Sequence, residues 1–287
     1  MQIIKIIKYF FEAFIIYFFF LVAKLIGLTL SRKIFAYIFK KIGPAIRSKN
    51  IIDKNLKKFS LNISEAEKNI IKNNMWSNYG MTFIEYIFLN TFRKTDLHID
   101  IEGEEVLDEI NKKNKTVIFV SGHFANFELM SMEITKKNIN LATIYRPLNN
   151  IFLNPFMEYL RKKYVCKNQI KKGRAGVKEV ITFIDKQHSI ALMIDQRVSE
   201  GEKIKFFKEE ALTTTLPAQL ALKYNLDIVP IFIARDKNNL FKIKIFKPID
   251  PSSFKNKLQI SEKLNQVIES MIIKNPNQWI WTHDRWK

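Results

Sequence analysis

The stretch Thr116-Val-Ile-Phe-Val-Ser-Gly-His-Phe-Ala-Asn-Phe-Glu-Leu-Met130 decides how this chain is read. Its first five residues are β-branched and apolar, the composition of a strand buried on both faces of a parallel sheet. The run breaks at Ser121-Gly122, and the apolar spacing then becomes that of a helix. A strand end that feeds a helix start is where open α/β sheets bind ligands. His123 sits in that turn, and Glu128 follows five residues later. Within one continuous helix, a five-residue offset would hold these side chains well apart around the axis. The spacing therefore predicts His123 in the turn and Glu128 in the first helical turn, where the two can meet.

An imidazole beside a carboxylate has its tautomer fixed and its protonated form stabilised, which suits a general base. Near a helix N-terminus Glu128 stays ionised. No serine or cysteine occupies a nucleophile elbow, so the base is expected to activate a hydroxyl on the substrate. The spacing alone also fits a surface histidine that caps a helix, and the flanking residues must decide between the two.

A chain of 287 residues can bury a substantial core and points to one large domain rather than two. Its formal net charge of +19 coexists with 24 phenylalanines and 47% hydrophobic residues. Basic and apolar together predict contact with an anionic membrane surface, an acidic partner, or both. A high positive charge is also the footprint of a nucleic-acid binder. However, no zinc-finger, homeodomain, ribonucleoprotein or Gly-x-x-Gly signature occurs, so no nucleic acid partner is expected. Heavy use of Lys, Ile, Asn and Phe throughout makes part of the charge compositional background. Cys166 is the only cysteine, which excludes an intrachain disulfide and fits a reducing compartment. It reads as an inert, partly buried thiol. The histidines at 98, 123, 188 and 283 show no metal-ligand spacing, and neither metal nor other cofactor is expected.

Residues 13–23 are an unbroken apolar and aromatic run, which 25–30 continue after Lys24. Glu12 and Lys24 bracket a clean segment shorter than the roughly 20 residues a spanning helix needs. With Lys24 snorkelling, residues from about 9 to 30 would cross as one tilted helix. No small-x-small site follows the run, which argues against a cleaved signal peptide. Arg32, Lys33, Lys40, Lys41, Arg47 and Lys49 come next and place the C-terminal side in the cytoplasm. Residues 1–30 are thus expected to form an uncleaved membrane anchor, spanning or lying in the interface, ahead of a catalytic domain at 31–287. A buried core helix is the other reading.

From about 31 to 95 the pattern is helical, with Ser64-Glu-Ala-Glu67 at capping-box spacing. Strands are then expected at 116–120, 142–146, 190–194, 228–233 and 241–246. Helical patterns fall at about 126–137, 150–163, 174–186 and 215–224, and a last one near 261–273. Val177, Val180, Ile181 and Ile184 give one of them a core-facing stripe. Such alternation predicts an α/β fold with a mostly parallel central sheet and helices on both faces. Polar groups gather at the strand ends. Arg146 ends the second expected strand, where it can clamp a phosphate or carboxylate or stabilise an oxyanion. Asp195-Gln196-Arg197 ends another, and Asp195 there either buttresses the site or caps the following turn. Lys171-Lys-Gly-Arg174 is a basic loop suited to phosphate or to plain solvation.

Taken together, these residues resemble the late acyltransferases of lipid A biosynthesis, the lauroyl/myristoyl acyltransferase family of bacterial inner membranes. Gly122-His-Phe-Ala-Asn-Phe-Glu128 looks like that family's Gly-His-x-Gly-Asn-Trp-Glu. Tyr145-Arg-Pro147, Asp195-Gln196, Phe206-Phe207 and Ala211-x-Thr213 match in order. So do Asn78-Tyr-Gly80 with Glu85, and the closing Gln278-Trp-Ile-Trp-Thr-His-Asp-Arg-Trp-Lys287. The resemblance covers nearly the whole chain. It departs at Ala125 and Lys208, where the family usually has glycine, at Phe127 for tryptophan, and at Asp284 for a basic residue.

The resemblance implies transfer of an acyl chain from an acyl carrier protein thioester to a hydroxyl of a membrane-bound lipid A precursor. It would do so at the cytoplasmic side of the anionic inner membrane. His123 and Glu128 are its expected catalytic dyad, and Arg146, Asn126, Asp195 and Gln196 its expected substrate-binding residues. Acyl transfer to another glycolipid or a phospholipid, a thioesterase that activates water, and a non-enzymatic basic membrane-binding protein are the rival readings.

Overall fold

A computed structural model of the chain describes residues 2–46 and 49–287. Arg47 of the basic stretch lies outside the described residues, as does the side chain of Lys49. Helix α1 (Gln2–Ile26) is long and apolar enough to cross a membrane, with a mean hydropathy of 2.0 over Ile3–Ile26. It ends at Gly27, whose φ of +81° is a left-handed conformation open to glycine, and α2 (Leu28–Ile46) starts anew. The single helix expected through residue 30 is therefore broken. One face of α1 buries Ala13, Phe20 and Ala23 on the domain, with the Phe20 ring against Phe83 and Phe156. The other presents Phe11, Phe14, Phe18, Leu21 and Leu25 outward.

Helices α3 (Lys49–Phe59), α4 (Glu65–Glu85) and α5 (Leu89–Lys94) complete the helical part. The capping box forms as the sequence specifies. The Ser64 hydroxyl accepts from the Glu67 N–H, and the Glu67 carboxylate accepts from the Ser64 N–H at 2.9 Å. Gly80 lets α4 lie against α2, since a Cβ there would come within 2.2 Å of the Phe35 carbonyl oxygen.

The remainder alternates: β1 (Ile99–Glu102), α6 (Glu104–Lys112), β2 (Ile118–Ser121), α7 (Glu128–Lys136), β3 (Leu141–Tyr145), α8 (Asn154–Leu160), β4 (Asn168–Lys171), α9 (Arg174–Asp185), β5 (Ser189–Met193). A hairpin of β6 (Glu202–Phe206) and β7 (Glu209–Thr213) interrupts the rhythm before α10 (Leu216–Tyr224), β8 (Ile228–Arg235), β9 (Phe241–Ile245) and α11 (Lys257–Lys274). Seven strands form one sheet in the order β1-β9-β8-β2-β5-β3-β4, parallel except where β8 meets β9. The mostly parallel sheet flanked by helices is the expected architecture. All five expected strands are present, and β2, with every residue buried, sits inside the sheet between β8 and β5.

A buried charge cluster joins the helical part to the sheet. Glu85, fully buried, accepts from Arg32 Nε at 2.6 Å, from Arg235 Nη1 at 2.5 Å and Nη2 at 3.0 Å, and from Asn126 Nδ2 at 3.0 Å. Burial pushes the Glu85 carboxyl up, but Arg235 and Arg32 outweigh it and hold the group below its ordinary range. The cluster ties α2, α4, β8 and the turn after β2 into one unit. Losing one member of such a set costs about 3–5 kcal/mol, because the rest stays buried without its counter-charge.

The β6–β7 hairpin turns on Phe207 and Lys208, both at positive φ (50° and 66°). A two-residue turn of that kind favours glycine or asparagine over a side chain with a Cβ. Lys208→Gly should therefore raise the free energy of unfolding by about 1 kcal/mol, measured by urea denaturation. An unchanged or lower value would show that the turn carries no backbone strain.

Candidate active site

Strands β2 and β5 are neighbours with Ser121 opposite Met193. Two residues past each strand end, the same register brings His123 opposite Asp195. The Asp195 side chain is buried and accepts three hydrogen bonds: from His123 Nδ1 at 2.7 Å, the His123 backbone N–H at 2.8 Å, and the Trp279 indole at 2.8 Å. Burial alone would raise its pKa, but the His123 ring, the His123 backbone and Trp279 overcome it and bring it to about 2. At neutral pH the carboxylate only accepts, so it fixes the His123 proton on Nδ1 and leaves Nε2 as the free base. The ring remains partly exposed, with its edge against Phe127 at 4.9 Å between centroids.

The pairing expected between His123 and Glu128 is thus replaced by one between His123 and Asp195. Glu128 is indeed the first residue of α7 and His123 does lie in the turn before it. Its carboxylate, however, takes hydrogen bonds from Tyr86 Oη at 2.5 Å and Arg161 Nε at 2.7 Å. Arg161 also donates to Tyr86 Oη at 2.9 Å. Burial works against the charged Arg161, yet Glu128 and Tyr86 outweigh it and raise its pKa. Both bonds end on Glu128 Oε1, so the guanidinium and the phenol hold the carboxylate on that side. Sequence reasoning passed over Arg161 and Tyr86, because nothing local marks partners 33 and 42 residues from Glu128.

The other expected residues fall into two groups. Asn126 is fully buried and donates to Glu85, so it belongs to the charge cluster behind the site. Gln196 is half-buried beside Asp195, and Arg146 is exposed at the end of β3; neither side chain has a hydrogen-bond partner among the described residues. Arg146 lies near Lys172, whose pKa is lowered by burial and then by Arg146. The ends of β2, β5, β3 and β4 thus carry His123, Asp195, Arg146 and Lys172 along one edge of the sheet.

The C-terminal segment closes over this edge. Phe124 bridges to Trp279, and the Ala125 N–H reaches the Gln278 carbonyl at 3.3 Å. Ala125 is buried with φ at +43°. Further on, buried Arg285 donates to the Leu212 carbonyl at 2.9 Å and Thr213 Oγ1 at 2.8 Å, and stacks over Phe206. Trp286 donates to the Phe206 carbonyl at 3.0 Å. Sequence features 70 to 160 residues apart in the chain therefore meet here as one contact set. Among the described residues, no group of three or more His, Cys, Asp or Glu gathers to hold a metal. A groove of about 520 Å³ lined by Arg93, Thr135, Leu141, Lys162 and Cys166 lies at the start of β3, away from this edge.

A histidine–carboxylate pair at the ends of parallel strands, with uncommitted basic side chains beside it, equips a site for proton abstraction next to an anionic substrate group. The chain belongs to the bacterial lipid A biosynthesis acyltransferase family, whose model matches residues 3–287. It is similar to lipid A biosynthesis acyltransferase 2 of Shigella flexneri, 22% identical over 76% of this chain and 71% of that protein. It is also similar to the lipid A biosynthesis acyltransferase of Haemophilus influenzae (22% identical, covering 88% and 82%) and the lipid A biosynthesis lauroyltransferase of Escherichia coli (22%, covering 84% and 79%). A crystal structure of 1-acyl-sn-glycerophosphate acyltransferase from Thermotoga maritima matches 88% of this chain and 100% of its own, at 16% identity and a TM-score of 0.43.

Asp195→Asn removes the acceptor that sets the His123 tautomer, and should lower kcat by about 10³–10⁴ in an acyl-transfer assay. The carboxyl is depressed in the folded state, so its contribution to stability is present above the unfolded pKa near 3.8 and lost as pH falls towards 2. Between pH 4 and 2 the wild type should lose on the order of 2 kcal/mol more than Asp195→Asn, read from paired denaturation curves.

Proposed function

We propose that the protein transfers a fatty acyl chain from an acyl carrier protein thioester to a hydroxyl of a lipid A precursor, with His123 as general base and Asp195 as the carboxylate that orients it. The observation that carries this is the fixed tautomer of His123: Nδ1 is held by Asp195, and Nε2 is left to the substrate. Nε2 takes the hydroxyl proton as the oxygen attacks the thioester carbonyl carbon, and returns it to the sulfur when the C–S bond breaks. General-base assistance of this kind contributes about 10²–10⁴ in rate. Positioning and charge stabilisation supply the rest. Arg146, with Lys172, meets a phosphate of the acceptor, and Gln196 offers an amide at the same edge. Glu128 serves indirectly, by holding Arg161 and Tyr86 in place behind the turn.

The acidic carrier protein and the phosphorylated acceptor both suit a chain of formal charge +19. Helix α1 supports work at the cytoplasmic face of the inner membrane, lying in the interface rather than crossing. Asn150 donates to the Tyr9 carbonyl, Tyr17 Oη to the Phe152 carbonyl, and Lys24 to Asn90. These contacts follow the helix for 15 residues, or about 22 Å. A perpendicular crossing would carry that polar surface of the domain into hydrocarbon. Lying flat, α1 instead turns its outward phenylalanines to the lipid.

Mass spectrometry of a tetra-acylated lipid A precursor, incubated with a set of acyl carrier protein thioesters, should show one added chain. His123→Ala should lose at least 10²-fold of that rate. Arg146→Ala should raise KM for the acceptor at least tenfold, as expected for one lost charge-assisted contact of about 1.5–3 kcal/mol. Free fatty acid released without an acceptor would indicate a thioesterase, and transfer only to other lipids would move the acceptor assignment.

A further inference from the structure

His283 lies in the segment that closes over the site, and the reaction above does not use it. Its Nε2 accepts a hydrogen bond from the Arg197 backbone N–H at 2.9 Å. A peptide N–H can only donate, so Nε2 holds a lone pair and the ring proton sits on Nδ1. The residue is also fixed from behind: Asn55 Nδ2 donates to the His283 carbonyl at 2.7 Å and to the Trp281 carbonyl at 2.8 Å.

Two links put this ring beside the dyad. Arg197 is two residues beyond Asp195, so no more than about 7 Å of backbone separates their Cα atoms. Trp279, four residues before His283, donates to the same Asp195 carboxylate. Of the charged groups around His283, Asp195 favours its protonation, and His123, Arg285 and Lys172 oppose it. Burial opposes it most strongly, and its pKa lies below the ordinary value. Protonation would in addition set a ring N–H against the Arg197 N–H. The ring is thereby held neutral, with a donor at Nδ1. Among the described residues no group accepts from Nδ1, and this nitrogen is not one of the sealed polar atoms lacking a partner.

We infer that His283 donates its Nδ1–H to the oxyanion of the tetrahedral intermediate, held in the donor tautomer by the Arg197 backbone N–H. This rests on the acyl-transfer reading. The acceptor oxygen bonds to the thioester carbonyl carbon, the carbonyl π pair moves to its oxygen, and His123 holds the hydroxyl proton. His283 stabilises that oxygen without giving up its own proton. When the pair returns to re-form C=O, the C–S bond breaks and the thiolate takes the proton from His123. A neutral imidazole suits this task, because it donates without competing with His123 for the proton.

Three variants test the idea in the acyl-transfer assay on full-length protein. Asparagine places its amide near the position of Nδ1, whereas glutamine reaches the position of Nε2 and leaves no donor at Nδ1. His283→Ala and His283→Gln should each lower kcat about 100-fold, with KM for either substrate changed less than threefold. His283→Asn should recover about tenfold of that loss. A folded His283→Ala with wild-type kcat would overturn the inference. So would activity in His283→Gln with none in His283→Asn, since only the bond to Arg197 would then matter. If His283→Ala does not fold, the asparagine–glutamine comparison decides. Wild-type protein that transfers no acyl chain from any donor would end the acyl-transfer reading and this one with it. An active wild type with an equally active His283→Ala would end this one alone.

Discussion

The Asp195 carboxylate is the point on which the site is built. Its two oxygens accept from the His123 ring, the His123 backbone and the Trp279 indole, so one buried charge joins the ends of β2 and β5 to the C-terminal segment. A carboxylate taken out of water is costly unless its acceptor sites are filled, and here three donors fill them. The same bonds that keep it ionised set the tautomer of His123. Stability and proton chemistry therefore depend on one group, and neither can be altered there without the other.

A second buried carboxylate, Glu85, does for the scaffold what Asp195 does for the site. Two arginines and Asn126 surround it, and they come from α2, β8 and the turn that carries His123. The turn is thus held from behind by one charge cluster and from the front by Asp195. Glu128 with Arg161 and Tyr86 forms a third set at the start of α7. Each set holds a different residue of the same short segment: His123, Asn126 and Glu128.

Much of this was legible in the sequence. The β-branched run at 116–120 and the helical spacing of α9 give the α/β alternation, because burial on both faces and burial on one face leave different periods. Of the expected α9 stripe, Val180 and Ile184 are buried, whereas Val177 is exposed. The short edge strands β1 and β4 were not legible. Ile99-Asp-Ile-Glu102 alternates over only four residues, and Asn168-Gln-Ile-Lys171 has three polar residues and no such alternation. The site was legible in its residues but not in its pairing. Glu128 is near His123 in sequence, whereas Asp195 becomes its neighbour only because β5 lies beside β2, a fact of strand order that no local pattern encodes. Two departures from the family's glycines also acquire a physical meaning. Ala125 and Lys208 both adopt positive φ, the conformation glycine reaches without a Cβ penalty.

The most direct test of this account is a pair of double-mutant cycles on kcat, with residual rates followed by mass spectrometry over long incubations. One cycle combines His123→Ala with Asp195→Asn, and the other combines His123→Ala with Glu128→Gln. If Asp195 acts through His123, Asp195→Asn should cost almost nothing further once the histidine is gone, while Glu128→Gln should cost the same factor with or without it. Full coupling of His123 to Glu128, with none to Asp195, would contradict the account.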